Sequence, residues 1–185
     1  DISGNTDKIY YIHAGGIAGV SIGTITNCDN SGKISASGGK FNNAGGIAGS
    51  NAGTITDCTN NCAIAAYGGH LSEHDYAGGI IGYNMDARIT NCANSGDVSA
   101  SGGSDNYAGG IAGSNNARGS TRGLITGGVP MAQVTAATYA GGAAGINYAD
   151  IRNVNNQAPV RANDTLAGGI AGQNAAGGVI DDCRD

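Results

Sequence analysis

One short phrase returns six times along this chain. Ala-Gly-Gly-Ile-Ala-Gly, first met at Ala14 to Gly19, recurs with minor changes at Ala44, Ala77, Ala108, Ala140 and Ala167. The start positions differ by 30, 33, 31, 32 and 27 residues, a period too variable for a coiled coil and suited to one turn of a solenoid with corner loops of different length. Each copy continues alike, with a small-residue break, a Thr-Ile-Thr-Asn-Cys-like segment, an Asn-Ser-Gly-like turn and a Val/Ile-x-Ala segment, as in Thr24 to Cys28, Asn30 to Gly32 and Ile34 to Ala36. These pieces are too short for helices, are rich in β-branched residues and are separated by turn formers. The pattern predicts an all-β fold, a parallel β-helix or solenoid of about six coils with three short strands per coil. It forms a single repeat array over 1–185, with coils starting near 14, 44, 77, 108, 140 and 167 and a partial coil over 1–13.

Stacked coils place equivalent residues about 4.8 Å apart in ladders. Three ladders are expected to face inward: Ile17, Ile47, Ile80, Ile111, Ala143 and Ile170; Ile25, Ile55, Ile89, Ile125, Ile151 and Ile180; and Ile34, Ile64, Val98, Val134 and Val160. Composition agrees with a narrow coil. Thirty-five residues are Gly, there is no Trp and one Phe, and charged residues make up 12% of the chain, so a core of large side chains is not available. Gly without a strict every-third-residue repeat excludes collagen, and no apolar run reaches the ~20 residues of a membrane-spanning helix. A net charge of -5 leaves no basic stripe for nucleic acid. The chain begins at Asp1 without an initiator Met or a signal-type apolar segment, the expectation for a processed or excised piece.

The Gly-Gly-Ile-x-Gly core followed by Thr-Ile-Thr-Asn-Cys resembles the GLUG repeat over nearly the whole chain, from about Ala14 to Cys183. The fifth copy departs, with Ala143 in place of Ile and Ile151-Arg152-Asn153-Val154 in place of the Thr-rich strand. The resemblance implies a bacterial β-solenoid outside the cytoplasm, as in adhesin-like surface proteins and the non-catalytic portions of immunoglobulin A proteases. It supplies no catalytic residues.

Several motifs invite chemistry. His70-Leu71-Ser72-Glu73-His74 matches the H-x-x-E-H pattern of inverted zinc proteases, but that pattern needs a helix and a third ligand, and Glu73 is the only Glu in the chain. An exposed corner loop is expected there. Gly19-Val20-Ser21-Ile22-Gly23 fits the G-x-S-x-G nucleophile elbow without its strand and helix, and reads as an inter-strand linker. Cys28, Cys58, Cys92 and Cys183 share one repeat position, where the other copies carry Gly128 and Val154, which points to a small buried apolar site. Cys62 replaces a turn Gly and stands either free or bridged to Cys58. Thr24, Thr26, Thr54 and Thr56 would project paired hydroxyls as on an ice-binding face, but Arg88, Arg152 and Asp181 interrupt it. Tyr76, Tyr107 and Tyr139 each precede the Ala-Gly-Gly unit and should form an aromatic ladder, for stability or for contact with a partner.

These readings lead to a non-enzymatic extracellular segment without cofactor or metal, acting as stalk, fibre or adhesive surface. Its partners are expected to be protein or glycan at a surface, with end-to-end self-association, met through corner loops at 38–43, 67–76, 101–107 and 115–122. The rival readings are an accessory module of a secreted protease and an ice-binding solenoid.

Overall fold

The computed structural model describes residues 2–5, 10–69, 72–119 and 122–185. It is a β-solenoid in which each repeat makes one turn. The second coil is representative: Ile34–Ser37 lies in sheet A, Phe41–Gly45 in sheet B, Ala48–Asn51 in sheet C, Thr54–Thr56 in sheet D and Thr59–Asn60 in sheet E. The three expected segments thus resolve into five, because the Gly-Gly bend divides one of them and the Asn turn adds a two-residue strand. Among the described residues, sheets A to D are each six strands deep and sheet E four, which encloses about five turns. Every pairing is parallel and in repeat register, so that Ala14, Ala44, Ala77, Ala108, Ala140 and Ala167 form one column.

Two corners explain the repeat consensus. At the Gly-Gly bend, sheets B and C approach backbone to backbone: a Cβ on Gly49 would stand 2.6 Å from the Ala14 nitrogen, and one on Gly45 2.7 Å from the Gly82 nitrogen. Any side chain there would force the sheets apart. At the corner before the cysteine position the chain adopts a left-handed conformation in every coil, at Asn27, Asp57, Asn91, Gly127, Asn153 and Asp182. Only Gly, Asn and Asp adopt it at low cost, and only these three occur.

Two apolar clusters run along the rod. Ile34, Ile64, Val98 and Val134 of sheet A pack against the alanine column of sheet B. Ile47, Ile80, Ile111 and Ala143 at the bend pack against Ile55, Ile89, Ile125 and Ile151 of sheet D, with Cys58 and Cys92. The terminal coils differ, since their ladders have a neighbour on one side only. Ile17 is 46% exposed and Ile180 38%, against 0% for Ile47 and Ile151, while Ile25, Val160 and Ile170 are partly buried. Full burial of such a side chain contributes roughly 1.5–3 kcal/mol.

Buried asparagines form two polar ladders. In one, the Asn30 amide donates to the Asn60 oxygen (2.7 Å) and Asn60 to Asn94 (2.7 Å), while each oxygen also accepts from the backbone two residues on in its own turn. Pro130 occupies the next rung, and the ladder resumes with Asn156 donating to Asp185. The other ladder runs unbroken through Asn51, Asn84, Asn115, Asn147 and Asn174. Amide side chains suit this position because each offers both a donor and an acceptor along the axis.

The corner loops are shorter than the sequence suggests. Phe41, His74 and Asp105 already begin strands of sheet B, and Asn115 and Asn116 end one of sheet C. The reason is alternation: Asn42, Asp75 and Asn106 turn inward and are buried, while their neighbours line the outer face.

Candidate functional site

The outer faces of sheets B and C diverge from the glycine bend and leave a groove along the rod. In its middle coils tyrosines fill it. Tyr76, Tyr107 and Tyr139 stack in register with ring centroids 5.0 and 4.9 Å apart and planes 14° and 7° from parallel, and Tyr83 of sheet C meets Tyr76 edge-on at 5.3 Å. Burial pushes the phenols of Tyr76, Tyr83 and Tyr107 up, with the Arg118 charge opposing the rise at Tyr83. Tyr107 is 8% exposed. Tyr107, stacked on both faces, therefore offers little free surface to a partner, whereas Tyr76 at the end of the stack has a stacked tyrosine on one face only.

In the first two coils the same column carries His13 and Asn43, and sheet C contributes Val20 and Ser50. These shorter side chains leave a cavity of about 620 Å³. One wall is a second aromatic stack on sheet B, with Tyr11 and Phe41 4.7 Å apart and His74 tilted against Phe41 at 5.4 Å. Met85 and Arg118 form the opposite lip, where the Arg118 backbone N–H donates to the Asp86 carboxylate at 2.7 Å. Asn43 is buried; its Nδ2 lies 3.0 Å from His13 Nδ1, and its Oδ1 has no hydrogen-bond partner among the described residues. Burial lowers the His13 pKa, which keeps its imidazole neutral at neutral pH.

The motifs singled out in the sequence fall elsewhere or into structural roles. His70 and Leu71 lie outside the described residues. Glu73 pairs with Lys40 of the preceding coil at 3.1 Å, and His74 lies not in a loop but in a strand of sheet B, with Nδ1 3.3 Å from Asp105. Among the described residues there is no helix and no group of three His, Cys, Asp or Glu able to hold a metal. Ser21 is buried between strand and turn. All five cysteines are free thiols, so Cys58 and Cys62 are not bridged. The Cys58 and Cys92 thiols each point to the carbonyl two residues back, at 3.2 and 3.3 Å, and burial pushes Cys92 up to about 12, which makes it a poor nucleophile. Cys62 instead donates to the Ser31 carbonyl of the coil before.

On sheet D the threonines do form an outer column, Thr26, Thr56, Thr90 and Thr126, which ends at Arg152 and Asp181. There Asp150 bridges Arg122 and Arg152, and Arg152 reaches Asp181. A charged lattice of this kind is a solvated sheet surface.

The tyrosines of this column do not by themselves reveal the cavity, which shows only in the column as a whole. The signal was present: the residue before each Ala-Gly-Gly unit reads His13, Asn43, Tyr76, Tyr107, Tyr139 and Leu166, and a change from aromatic to short marks where the groove opens.

A family model described as the GLUG motif matches residues 74–99. That span covers most of one turn of the rod, from His74 in sheet B to Ser99 in sheet A; the turn closes at Asp105, which pairs with His74. Comparison with curated proteins and with solved structures returned no match.

Proposed function

We propose that this GLUG-motif β-solenoid is a non-enzymatic extracellular segment that serves as a stalk or adhesive surface. The observation that carries the reading is where its polar and thiol groups go. The buried asparagines, and the thiols of Cys58 and Cys92, are engaged in coil-to-coil or turn bonding, which makes a rigid rod. Such a rod holds its outer columns at fixed spacing and is suited to presenting a surface at a distance from its point of attachment.

The test is labelling of intact cells of the source organism with antibody raised against the folded chain. Labelling without permeabilisation is expected. Signal that appears only after permeabilisation would place the rod inside the cell and overturn the reading.

A further inference from the structure

The cavity at the start of the groove is a missing rung. Parallel coils advance by about 4.8 Å, and the rings of Tyr76, Tyr107 and Tyr139 follow that spacing, one per coil. The column then skips a ring at Asn43 and ends on the His13 imidazole. The face of Tyr76 turned away from Tyr107 therefore borders the cavity, and the short Asn43 side chain stops where a phenol would stand. A flat ring entering between the sheets would stack on Tyr76 at the spacing the protein's own tyrosines use, an arrangement worth roughly 0.5–1.5 kcal/mol beyond the apolar area covered.

The electrostatics of the lining specify the substituent. In a chain of net charge -5, no carboxylate among the described residues lines this cavity; Arg118 is the cationic side chain at its lip, and the nearby Asp86 carboxylate is engaged by the Arg118 backbone N–H. His13, neutral through burial, and the hydroxyl of Ser50 add polar groups to an otherwise aromatic wall. A volume of about 620 Å³ suits a small organic molecule, since such sites span roughly 300–1,000 Å³.

We propose that this cavity binds a small aromatic carboxylate, its ring stacked on Tyr76 and its anionic group facing Arg118. A pyranose fits the description less well, because it would replace a flat ring by a puckered one in a stack only about 5 Å deep per coil.

The probe is 4-hydroxybenzoate, titrated into the full 185-residue chain by calorimetry and by tyrosine fluorescence, which is readable because the chain has no Trp. Saturable binding at one site is expected. Asn43→Tyr gives coil two the residue that coils three to five already carry, so it fills the cavity within the ladder; it should keep the wild-type β-sheet circular dichroism and weaken binding at least tenfold. Arg118→Gln should weaken 4-hydroxybenzoate by about tenfold, the loss of one charge-assisted hydrogen bond, and leave uncharged phenol unchanged. If Asn43→Tyr misfolds, the Arg118→Gln comparison of the two probes decides alone. No saturable binding to the wild type, equal binding by folded Asn43→Tyr, equal loss of both probes in Arg118→Gln, or preference for methyl glucoside over 4-hydroxybenzoate would each overturn the proposal.

Discussion

The two asparagine ladders differ at one rung. The column Asn51, Asn84, Asn115, Asn147 and Asn174 is continuous, whereas the column that begins at Asn30 breaks at Pro130 before resuming at Asn156. Coil stacking survives the break: Val129 and Met131 still donate to the Cys92 and Asn94 carbonyls, at 3.2 and 2.8 Å. Proline is tolerated because the ladder uses the N–H groups on either side of this position and not the one proline lacks. The backbone and apolar columns therefore set the register, and each asparagine adds bonds of two kinds, those within its own turn and those to the neighbouring coils.

The comparison breaks most sharply on removal of a whole asparagine. Asn60 makes four bonds, to the Cys62 N–H and carbonyl and to Asn30 and Asn94, whereas Asn94, next to the proline, makes three. Asn60→Ala should cost about 3 kcal/mol and Asn94→Ala about 2 kcal/mol in denaturant unfolding, the difference being one rung. Equal losses would show that the bonds between coils contribute nothing beyond those within the turn.

A charge placed in a polar column sharpens the comparison further. Asp75 stands between Asn42 and Asn106 on sheet B and is fully buried; its Oδ1 accepts from Asn42 (2.7 Å) and Ser72 (2.8 Å), while Oδ2 lies against Gly68 and Gly103 without a well-formed bond. Burial raises its pKa above the ordinary carboxylate value, and the surrounding donors only partly offset this. A raised folded-state pKa means that the native state binds the proton more tightly than the unfolded chain. The associated stability is complete below the unfolded pKa and is lost as pH rises through the folded one. Asp75→Asn removes this titration, so the stability of the variant relative to wild type should move in its favour as pH rises from the ordinary carboxylate range toward neutrality. The change should be smaller than the loss of Asn60. A pH-independent difference between the two proteins would show that Asp75 is not strained by burial.

These columns also mark how far the sequence could be read. Ile55, Ile89 and Ile125 announce their place because β-branched residues at a fixed repeat position have one economical location, the interior. Asn30, Asn60 and Asn94 do not, since asparagine in an Asn-Ser-Gly turn is equally explained by turn propensity, and only the coordinates show the amides pointing along the axis. Asn115 falls within an expected corner loop for the same reason. The left-handed corner escapes a motif-level reading, although its column contains nothing but Asn, Asp and Gly, because that column has meaning only once each coil is aligned residue by residue. The groove was half legible: the tyrosine ladder follows from spacing, but the cavity depends on what is absent from the column at Asn43.

The smallest expected effect is also the most direct test of what a rung contributes. Pro130 abuts Gly110, as Asn30 abuts Gly16, Asn60 abuts Gly46, Asn94 abuts Gly79 and Asn156 abuts Gly142, so the glycine that makes room for an asparagine is already in place. Pro130→Asn would let Asn94 donate to the new oxygen and the new amide donate to Asn156, whose oxygen now accepts only from Ala158 within its own turn. Each bond contributes about 1 kcal/mol, and the loss of proline returns roughly 0.4–1 kcal/mol of entropy to the unfolded chain. A net gain of about 1 kcal/mol is expected, measured as a rise in the denaturation midpoint at unchanged m-value. In the same background Asn94→Ala should become as costly as Asn60→Ala, because Asn94 would then have a neighbour on both sides. A neutral or destabilising Pro130→Asn, with Asn94→Ala unchanged, would mean that the asparagines stabilise their own turns alone and that the continuous ladder is a consequence of repetition.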